Sequence, residues 1–201
     1  MLVVIFAIAM RSYAYVYWGY PLTKFPFFAV VAAALSFMIG WQYDRMKFLA
    51  ERDSLTKCYN RRFVSGVFPG LLDEVKRKKE QLSLMMLDCD NFKAINDSYG
   101  HKKGDQILQA LSALLRANVR KRDLVVRWGG DEFIIIAPYA DREELEKTKE
   151  RVEAALLSLS QELQIDIRIS CGIATYPKDA KKIEDLIHRA DSDMYGIKKH
   201  A

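Results

Sequence analysis

Apolar and polar residues recur along residues 52–200 with a period that changes from one segment to the next. Spacing near four residues predicts amphipathic helices, whereas short apolar or alternating runs predict strands. The predicted helices are Arg61–Lys79, Gly104–Asn118, Arg142–Leu163 and Lys182–Lys199, and the predicted strands are Leu82–Leu87, Leu124–Trp128, Phe133–Ala137 and Ile165–Tyr176. Because helices and strands interleave, the pattern predicts an α/β domain around one sheet.

A pair of glycines separates two of these strands. Gly129 and Gly130 lie between apolar runs, in the sequence RWGGDEF. Two glycines between strands are typical of a two-residue hairpin turn.

The first 43 residues follow a different pattern, with Arg11 and Lys24 as their only charged groups. The uncharged run over residues 25–43 is long enough to cross a bilayer of roughly 30 Å, and Trp41 and Tyr43 suit its interface. We therefore predict a transmembrane span there, with a buried core helix as the alternative. Residues 1–20 are either an imperfect first span or the end of a longer membrane region, because a central arginine is costly in a bilayer.

This boundary predicts a membrane region over 1–43, a short linker helix over 44–52 and a separate domain over 53–201. Basic residues follow the predicted span directly. They indicate an inner-membrane protein whose C-terminal domain faces the cytoplasm.

Net charge argues against a nucleic-acid-binding module. The chain carries +5, of which residues 1–52 contribute +3 and the remainder +2. No basic patch interleaved with aromatic residues follows in the C-terminal part, so a phosphate-binding stripe is not predicted. Cys58, Cys89 and Cys171 are far apart, which favours free thiols in a reducing compartment.

Two acidic pairs follow apolar runs. Asp88 and Asp90 come at the end of one predicted strand, and Asp131 and Glu132 follow the glycine pair. Ligands collect at strand ends in open α/β sheets, and converging carboxylates suit Mg²⁺. The alternative is a helix cap at Asp90 and ordinary surface acids beside a turn.

The segment between these pairs, NFKAINDSYGHKKGD over residues 91–105, combines amide, acidic and basic side chains. Asn96 and Asp105 match the donors and acceptors of a guanine edge, and Lys93 suits phosphate. An ordinary turn followed by a helix start is the alternative.

Four segments in this order resemble GGDEF domains, the bacterial diguanylate cyclases. They are DSLTKCYNRR (53–62), DCDNFKAINDSYGHKKGD (88–105), RWGGDEF (127–133) and ADSDMYGIKK (190–199). The resemblance covers roughly residues 52–200. It implies a central, mostly antiparallel sheet flanked by helices, as in nucleotidyl cyclases, here preceded by the N-terminal transmembrane segments.

The resemblance also implies an activity. Two GTP molecules, one on each protomer of a homodimer, would condense to cyclic di-GMP with loss of pyrophosphate. Mg²⁺, or Mn²⁺ in its place, would be bound by Asp88, Asp131 and the Cys89 carbonyl. Asp131 and Lys93 would be catalytic, with Asp131 as the proton acceptor for the ribose 3′-hydroxyl.

The remaining positions carried over from the family would bind substrate. Asn96 and Asp105 would contact guanine with His101 close by, and Lys93 and Lys198 would meet phosphates. The other substrate-binding positions are Asn91, Phe92, Gly129, Gly130 and Glu132. Strand alternation is expected to turn Glu132 away from Asp131.

A second site is suggested by Arg120-Lys121-Arg122-Asp123, five residues before the glycine pair. It resembles the inhibitory RxxD motif of the family, in which Arg120 and Asp123 would bind the cyclic product. A solvated run of charges is the alternative.

Two functions remain open from the sequence. One is an active cyclase, and the other is a non-catalytic receptor that binds cyclic di-GMP through Arg120 and Asp123. The intact RWGGDEF segment and Asp88 favour the cyclase.

Overall fold

The structure, a computed structural model, describes residues 2–19 and 26–198 of the chain. Within these ranges, the side chains of a few residues, among them Lys198, are not described. The chain divides into two compact units, 1–50 and 51–201.

The first unit contains two helices, α1 (Leu2–Trp18) and α2 (Pro26–Glu51). Over the described ranges, neither helix has the length and apolarity needed to cross a bilayer. The predicted spans over 1–20 and 25–43 are therefore wrong, and residues 20–25 lie outside the description. Helix α1 has only 17 residues and carries Arg11 near its middle. Residues 44–51 of the predicted linker form the C-terminal part of α2, and residue 52 follows the helix.

The second unit alternates helices and strands. Its strands are β1 (Tyr59–Asn60), β2 (Leu82–Cys89), β3 (Leu124–Arg127), β4 (Glu132–Pro138) and β5 (Ile169–Tyr176). Its helices are α3 (Arg61–Lys78), α4 (Phe92–Tyr99), α5 (His101–Asn118), α6 (Arg142–Leu163) and α7 (Ile183–Lys198). The bounds of α6 match the prediction, α4 was expected only in the alternative of a helix capped by Asp90, and β1 was not predicted.

One five-stranded sheet has the order β1-β3-β4-β2-β5. The pairs β3–β4, β4–β2 and β2–β5 are antiparallel, and β1 pairs with β3 in parallel. The sheet is thus mixed: three of its four pairings are antiparallel, as expected, and the parallel β1–β3 pairing was not expected. The parallel pair involves only Tyr59–Asn60, a strand too short for any periodicity to reveal.

Alternate residues of the strands fill two separate cores. Met85, Leu87 and Phe133 lie on the face that α5 and α6 cover. Leu84 and Ile134 lie on the opposite face, covered by α3 and α7. Because successive strand residues point to opposite faces, both sides of the central strands must be apolar, and β2 accordingly has six buried residues in succession before Asp88.

Helix α7 approaches β5 very closely at Gly172. A Cβ built at this glycine would lie 2.9 Å from the Met194 Cβ, and closer still to the Ala190 carbonyl oxygen and the Met194 nitrogen. Any side chain at this position would therefore meet helix backbone. The glycine is required by packing, since its own φ is not in the left-handed region.

Strand β5 is an edge of the sheet, and side chains bind its outward backbone groups. The Ile173 N–H donates to Asp193 (3.0 Å), and Arg142 donates to the Ile173 carbonyl (2.8 Å). Two residues further on, the Thr175 N–H donates to Asp179 (2.7 Å). Arg142 and Asp193 also form an ion pair at 2.8 Å. This part of the edge is consequently closed to an added strand.

The three cysteines are free, as predicted, and all three are buried. Burial raises the pKa of the Cys171 thiol to about 12. The thiol therefore stays protonated at neutral pH, which is typical of a core residue rather than a nucleophile.

Candidate functional site

The predicted acidic residues meet where β2 and β4 run side by side. In this antiparallel pair Asp88 lies directly opposite Glu132. The Cys89 N–H donates to the Asp131 carbonyl at 3.3 Å. Paired residues share a face of the sheet, so Asp88 and Glu132 project to the side of α3 and α7. The register thus brings both predicted acidic pairs to one end of the central strands.

Glu132, rather than Asp131, is therefore the direct cross-strand neighbour of Asp88. Asp131 precedes β4 and belongs to the turn. All three carboxyl-bearing residues are partly buried. The sequence indicated the cluster correctly, but the strand register was needed to show which residue stands opposite Asp88.

The connection between β3 and β4 has four residues, 128–131, instead of a two-residue turn. The N–H groups of Trp128 and Gly129 both donate to the Glu132 carbonyl, at 2.8 and 3.4 Å. Neither Gly129 nor Gly130 has a positive φ, so the predicted tight turn is wrong. At Gly129 the missing side chain makes room for Glu132, whose Cδ would lie 3.2 Å from an added Cβ.

Arg127 holds this turn from the last residue of β3. Its Nε–H and Nη2–H donate to the Gly130 carbonyl at 3.2 and 2.7 Å. Its Nη1–H donates to the Asp53 carboxylate at 2.9 Å, in an ion pair whose side chains are 16% and 20% exposed. Since two N–H groups converge on one oxygen, the Gly130 peptide has a defined orientation.

Asp53 has further donors besides Arg127. The Thr56 N–H and hydroxyl donate to it at 2.8 and 2.7 Å. Burial acts to raise the pKa of the Asp53 carboxyl, but these hydrogen bonds and the arginine outweigh burial and lower the pKa below its ordinary value. Asp53 is therefore held as an anion that anchors the turn through Arg127.

Directly after β2, the chain enters the short helix α4. Asn91 precedes it with φ 54° and ψ 25°, a left-handed conformation that asparagine tolerates better than most residues. The Asp90 N–H donates to the Arg168 carbonyl (2.9 Å), and the Ser170 hydroxyl donates to the Asp90 carboxylate (2.7 Å). These contacts aim the N-terminus of α4, with Phe92 and exposed Lys93, next to the acidic cluster.

The junction of α4 and α5 places Asn96 against Gly104. A Cβ at Gly104 would lie 3.0 Å from the Asn96 Cγ and 3.1 Å from the Phe92 Cζ. Gly104 is buried, whereas His101 and Asp105 are exposed at the start of α5. Lys198 ends α7, and its side chain lies outside the description. Asn96 near the end of α4 and His101 and Asp105 at the start of α5 thus lie on either side of one helix junction.

The Arg120–Asp123 segment forms a closed turn between α5 and β3. The Asp123 N–H donates to the Arg120 carbonyl, and the Arg120 N–H donates to the Asp123 carboxylate, both at 2.9 Å. The Asp123 side chain is only 2% exposed, so it is not part of a solvated charge run.

The donor set at the acidic cluster fits a loosely held divalent cation. Across the described residues, no three His, Cys, Asp or Glu side chains form a complete metal cage. Mg²⁺ is commonly held by one or two carboxylates with phosphate oxygens and water in the remaining positions. Asp88 with Asp131 or Glu132 supplies that number of carboxylates.

A family model described as "Diguanylate cyclase, GGDEF domain" matches residues 50–201. The chain belongs to the GGDEF family. The resemblance drawn from the four sequence segments is thereby confirmed, and the acidic turn is the segment from which the GGDEF family takes its name.

Individual GGDEF proteins are similar over the same region. The chain is 36% identical over 156 residues to the diguanylate cyclase TpbB of Pseudomonas aeruginosa, which covers 76% of this chain and 36% of TpbB. The solved GGDEF domain of TpbB superposes with a TM-score of 0.68 at 33% identity, over 75% of this chain and 90% of that one. A solved microbial GGDEF domain, described in an interaction with bis-(3′,5′)-cyclic di-GMP, gives a TM-score of 0.65 at 30% identity, over 76% and 95% of the two chains. The chain spans about a third of the length of TpbB.

Arg127 and Asp53 are the site residues that sequence reasoning missed. Both lie inside segments that carry the family resemblance. A signal was available, since a charged residue directly before a glycine-rich turn has few neighbours other than the turn itself. What the sequence did not provide was the partner, because Asp53 lies far from Arg127 along the chain.

Proposed function

We propose that this GGDEF protein is a diguanylate cyclase that condenses two GTP molecules into cyclic di-GMP and releases two pyrophosphates. The observation that carries the proposal is the β2–β4 register, with Asp88 opposite Glu132 and Asp131 in the adjoining turn. The name of TpbB as a diguanylate cyclase supports it.

The carboxylates of Asp88 and Asp131, with the Cys89 carbonyl, would hold Mg²⁺ or Mn²⁺ beside the triphosphate. Such an ion, when bound, neutralises phosphate charge and polarises the α-phosphorus. Exposed Lys93 and the N–H groups at the start of α4, near Asn91 and Phe92, would bind the phosphates, as helix N-termini do. Lys198 would contribute a second cation. Gly129, Gly130 and Glu132 would line the same phosphate-binding surface.

At the other end of the nucleotide, Asn96 and Asp105 would hydrogen-bond to the guanine edge, with His101 beside them. An amide and a carboxylate together match the acceptors and donors of guanine. The Asn96–Gly104 packing supports this assignment because it fixes the position of Asn96.

The chemical step needs two protomers. Asp131 accepts the proton of a ribose 3′-hydroxyl, and the freed oxygen bonds to the α-phosphorus of the facing GTP. The bond from that phosphorus to the pyrophosphate oxygen breaks, and pyrophosphate leaves. Repeating the step in the opposite direction closes the ring. Pairing of two chains provides the proximity that this reaction requires.

We further propose that product binds at Arg120 and Asp123 and slows the enzyme. The closed turn that orients both residues supports this proposal. Arginine suits a phosphodiester because its planar donors match two oxygens.

The test is turnover of GTP by the purified full chain with Mg²⁺, followed by chromatographic identification of cyclic di-GMP. Asp131→Asn is expected to lower kcat by at least about 100-fold, the range for loss of a general base. Asp73→Asn, an exposed position on α3, is the matched control and should retain wild-type activity. Absence of product from wild-type protein shown to be dimeric would disprove the proposal.

A further inference from the structure

The guanidinium of Arg120 is engaged on two sides. Its Nε–H donates to both Asp123 oxygens at 3.3 Å. Its Nη1–H donates to Glu144 Oε1 at 3.1 Å. Arg120 is 31% exposed, so the remaining N–H groups face solvent near this second carboxylate.

The two carboxylates differ in their setting. Asp123 is buried and closes the turn, so it is a fixed part of the Arg120 site. Glu144 is 49% exposed and comes from another element, the first turn of α6.

Glu144 is nevertheless held in place by the end of its own helix. The Asp141 N–H donates to Glu144 Oε2 at 3.2 Å, and the Glu144 N–H donates to the Asp141 carboxylate at 2.9 Å. This reciprocal capping box leaves Oε1 for Arg120. Because the cap restricts the Glu144 side chain, less conformational entropy is lost when the ion pair forms.

An anionic phosphodiester that binds Arg120 competes for its N–H donors, one of which already donates to Glu144. We propose that Glu144 is a built-in competitor of cyclic di-GMP at Arg120, which weakens product binding and so delays feedback inhibition. The inference rests on the proposed product site and concerns its regulation. Both the lost hydrogen bond and the repulsion between carboxylate and phosphate act in this direction.

The expected size of the effect follows from the exposure of the ion pair. Exposed pairs of this kind change an equilibrium constant by about two- to five-fold, and salt weakens them further. The competition is therefore a moderate adjustment of affinity and not a block.

The test is calorimetric titration of cyclic di-GMP into the full chain and its Glu144→Gln variant. Glutamine keeps an oxygen that can accept the Asp141 N–H, so the cap survives while the charge is removed. The variant should bind about two- to five-fold more tightly at low salt, and the difference should shrink at about 0.5 M salt. Equal or weaker binding by a Glu144→Gln variant with wild-type melting temperature would overturn the inference.

Glu143→Gln is the matched control. Glu143 lies in the same turn of α6 but pairs with Lys147 at 2.7 Å. It should leave product affinity unchanged, and an equal gain in this variant would overturn the inference by showing that only net charge matters. If neither wild type nor Glu144→Gln binds product while GTP is turned over, the competitor inference and the product site fail and the cyclase stands. If Glu144→Gln binds more tightly but no GTP is consumed, the cyclase proposal fails and the inference stands.

Discussion

Gly172→Ala tests whether the contact between β5 and α7 is as close as the structure has it. An added Cβ meets the Ala190 carbonyl oxygen and Met194 nitrogen at less than 3.0 Å, and backbone atoms cannot rotate away as a side-chain end can. The Met194 Cβ alone, at 2.9 Å, must move by about half an ångström to reach an ordinary contact of 3.4 Å. Relief therefore requires α7 to retreat from the sheet.

The cost of that retreat can be judged from what α7 buries. Leu186 and Met194 are 0% and 5% exposed in the core between α3, α7 and the sheet. Overpacking of a filled core costs about 1–3 kcal/mol, and loosened packing of these two side chains adds to it. Alanine also lowers the conformational entropy of the unfolded chain relative to glycine, which offsets about 0.4–1 kcal/mol of this loss in stability. We expect a net loss of about 2–3 kcal/mol in the free energy of unfolding, which lowers Tm by about 4–12 °C in a chain of this size.

Urea and thermal unfolding of the two proteins measure this difference. Gly66→Ala is the control, because a Cβ at Gly66 in the middle of α3 meets nothing within 4 Å. That variant should be more stable than wild type by about 0.5–1 kcal/mol, as expected for alanine in a helix. A Gly172→Ala variant within about 0.5 kcal/mol of wild type would refute the close contact, since that is the usual range for substitutions that disturb nothing.

Two further predictions concern the site. Asp53→Asn should lower the free energy of unfolding by about 1–3 kcal/mol at neutral pH. The folded-state pKa of Asp53 is lowered, so its contribution to stability is complete above the ordinary carboxyl pKa and is lost as pH falls through the folded-state pKa. The acid unfolding curves of variant and wild type should therefore converge. Exposed Asp166→Asn is the control, and a stability difference that does not change with pH would contradict the ion pair. Gly104→Ala should raise the KM for GTP several-fold with little change in kcat, because the added Cβ displaces Asn96. Unchanged steady-state kinetics in this variant would contradict the role of Asn96 as a guanine contact.

Elements with strong local signals were predictable from the sequence. Helix α6 has its predicted bounds because both ends are encoded locally, by the Asp141 cap and by left-handed Gln164. Helix α4 was expected only as an alternative, because it has eight residues, of which Ile95 is the buried one, and so lacks a repeated apolar stripe. Its stability comes from packing against α5, which no local pattern records.

The candidate site shows the same division. The motifs indicated the residues that we propose carry chemistry, and the β2–β4 register then placed Glu132 opposite Asp88. The turn was predicted as a type that needs positive φ, but its geometry is fixed by Arg127 and the distant Asp53. Long-range partners of this kind cannot be read from spacing. The predicted membrane spans were also wrong, since none of the described helices is long and apolar enough to cross a bilayer.

The backbone contacts along β5 have a consequence for how two copies of the domain meet. With Ile173 bound by Arg142 and Asp193, and Thr175 bound by Asp179, this part of the β5 edge offers no free template for a neighbouring chain. Copies that met there would fuse into one extended sheet, an association that is slow to reverse and prone to continue into aggregates. Closing this part of the edge favours association through side-chain surfaces instead. Partners joined in that way can separate again, as the proposed assembly of cyclic di-GMP between two protomers would require.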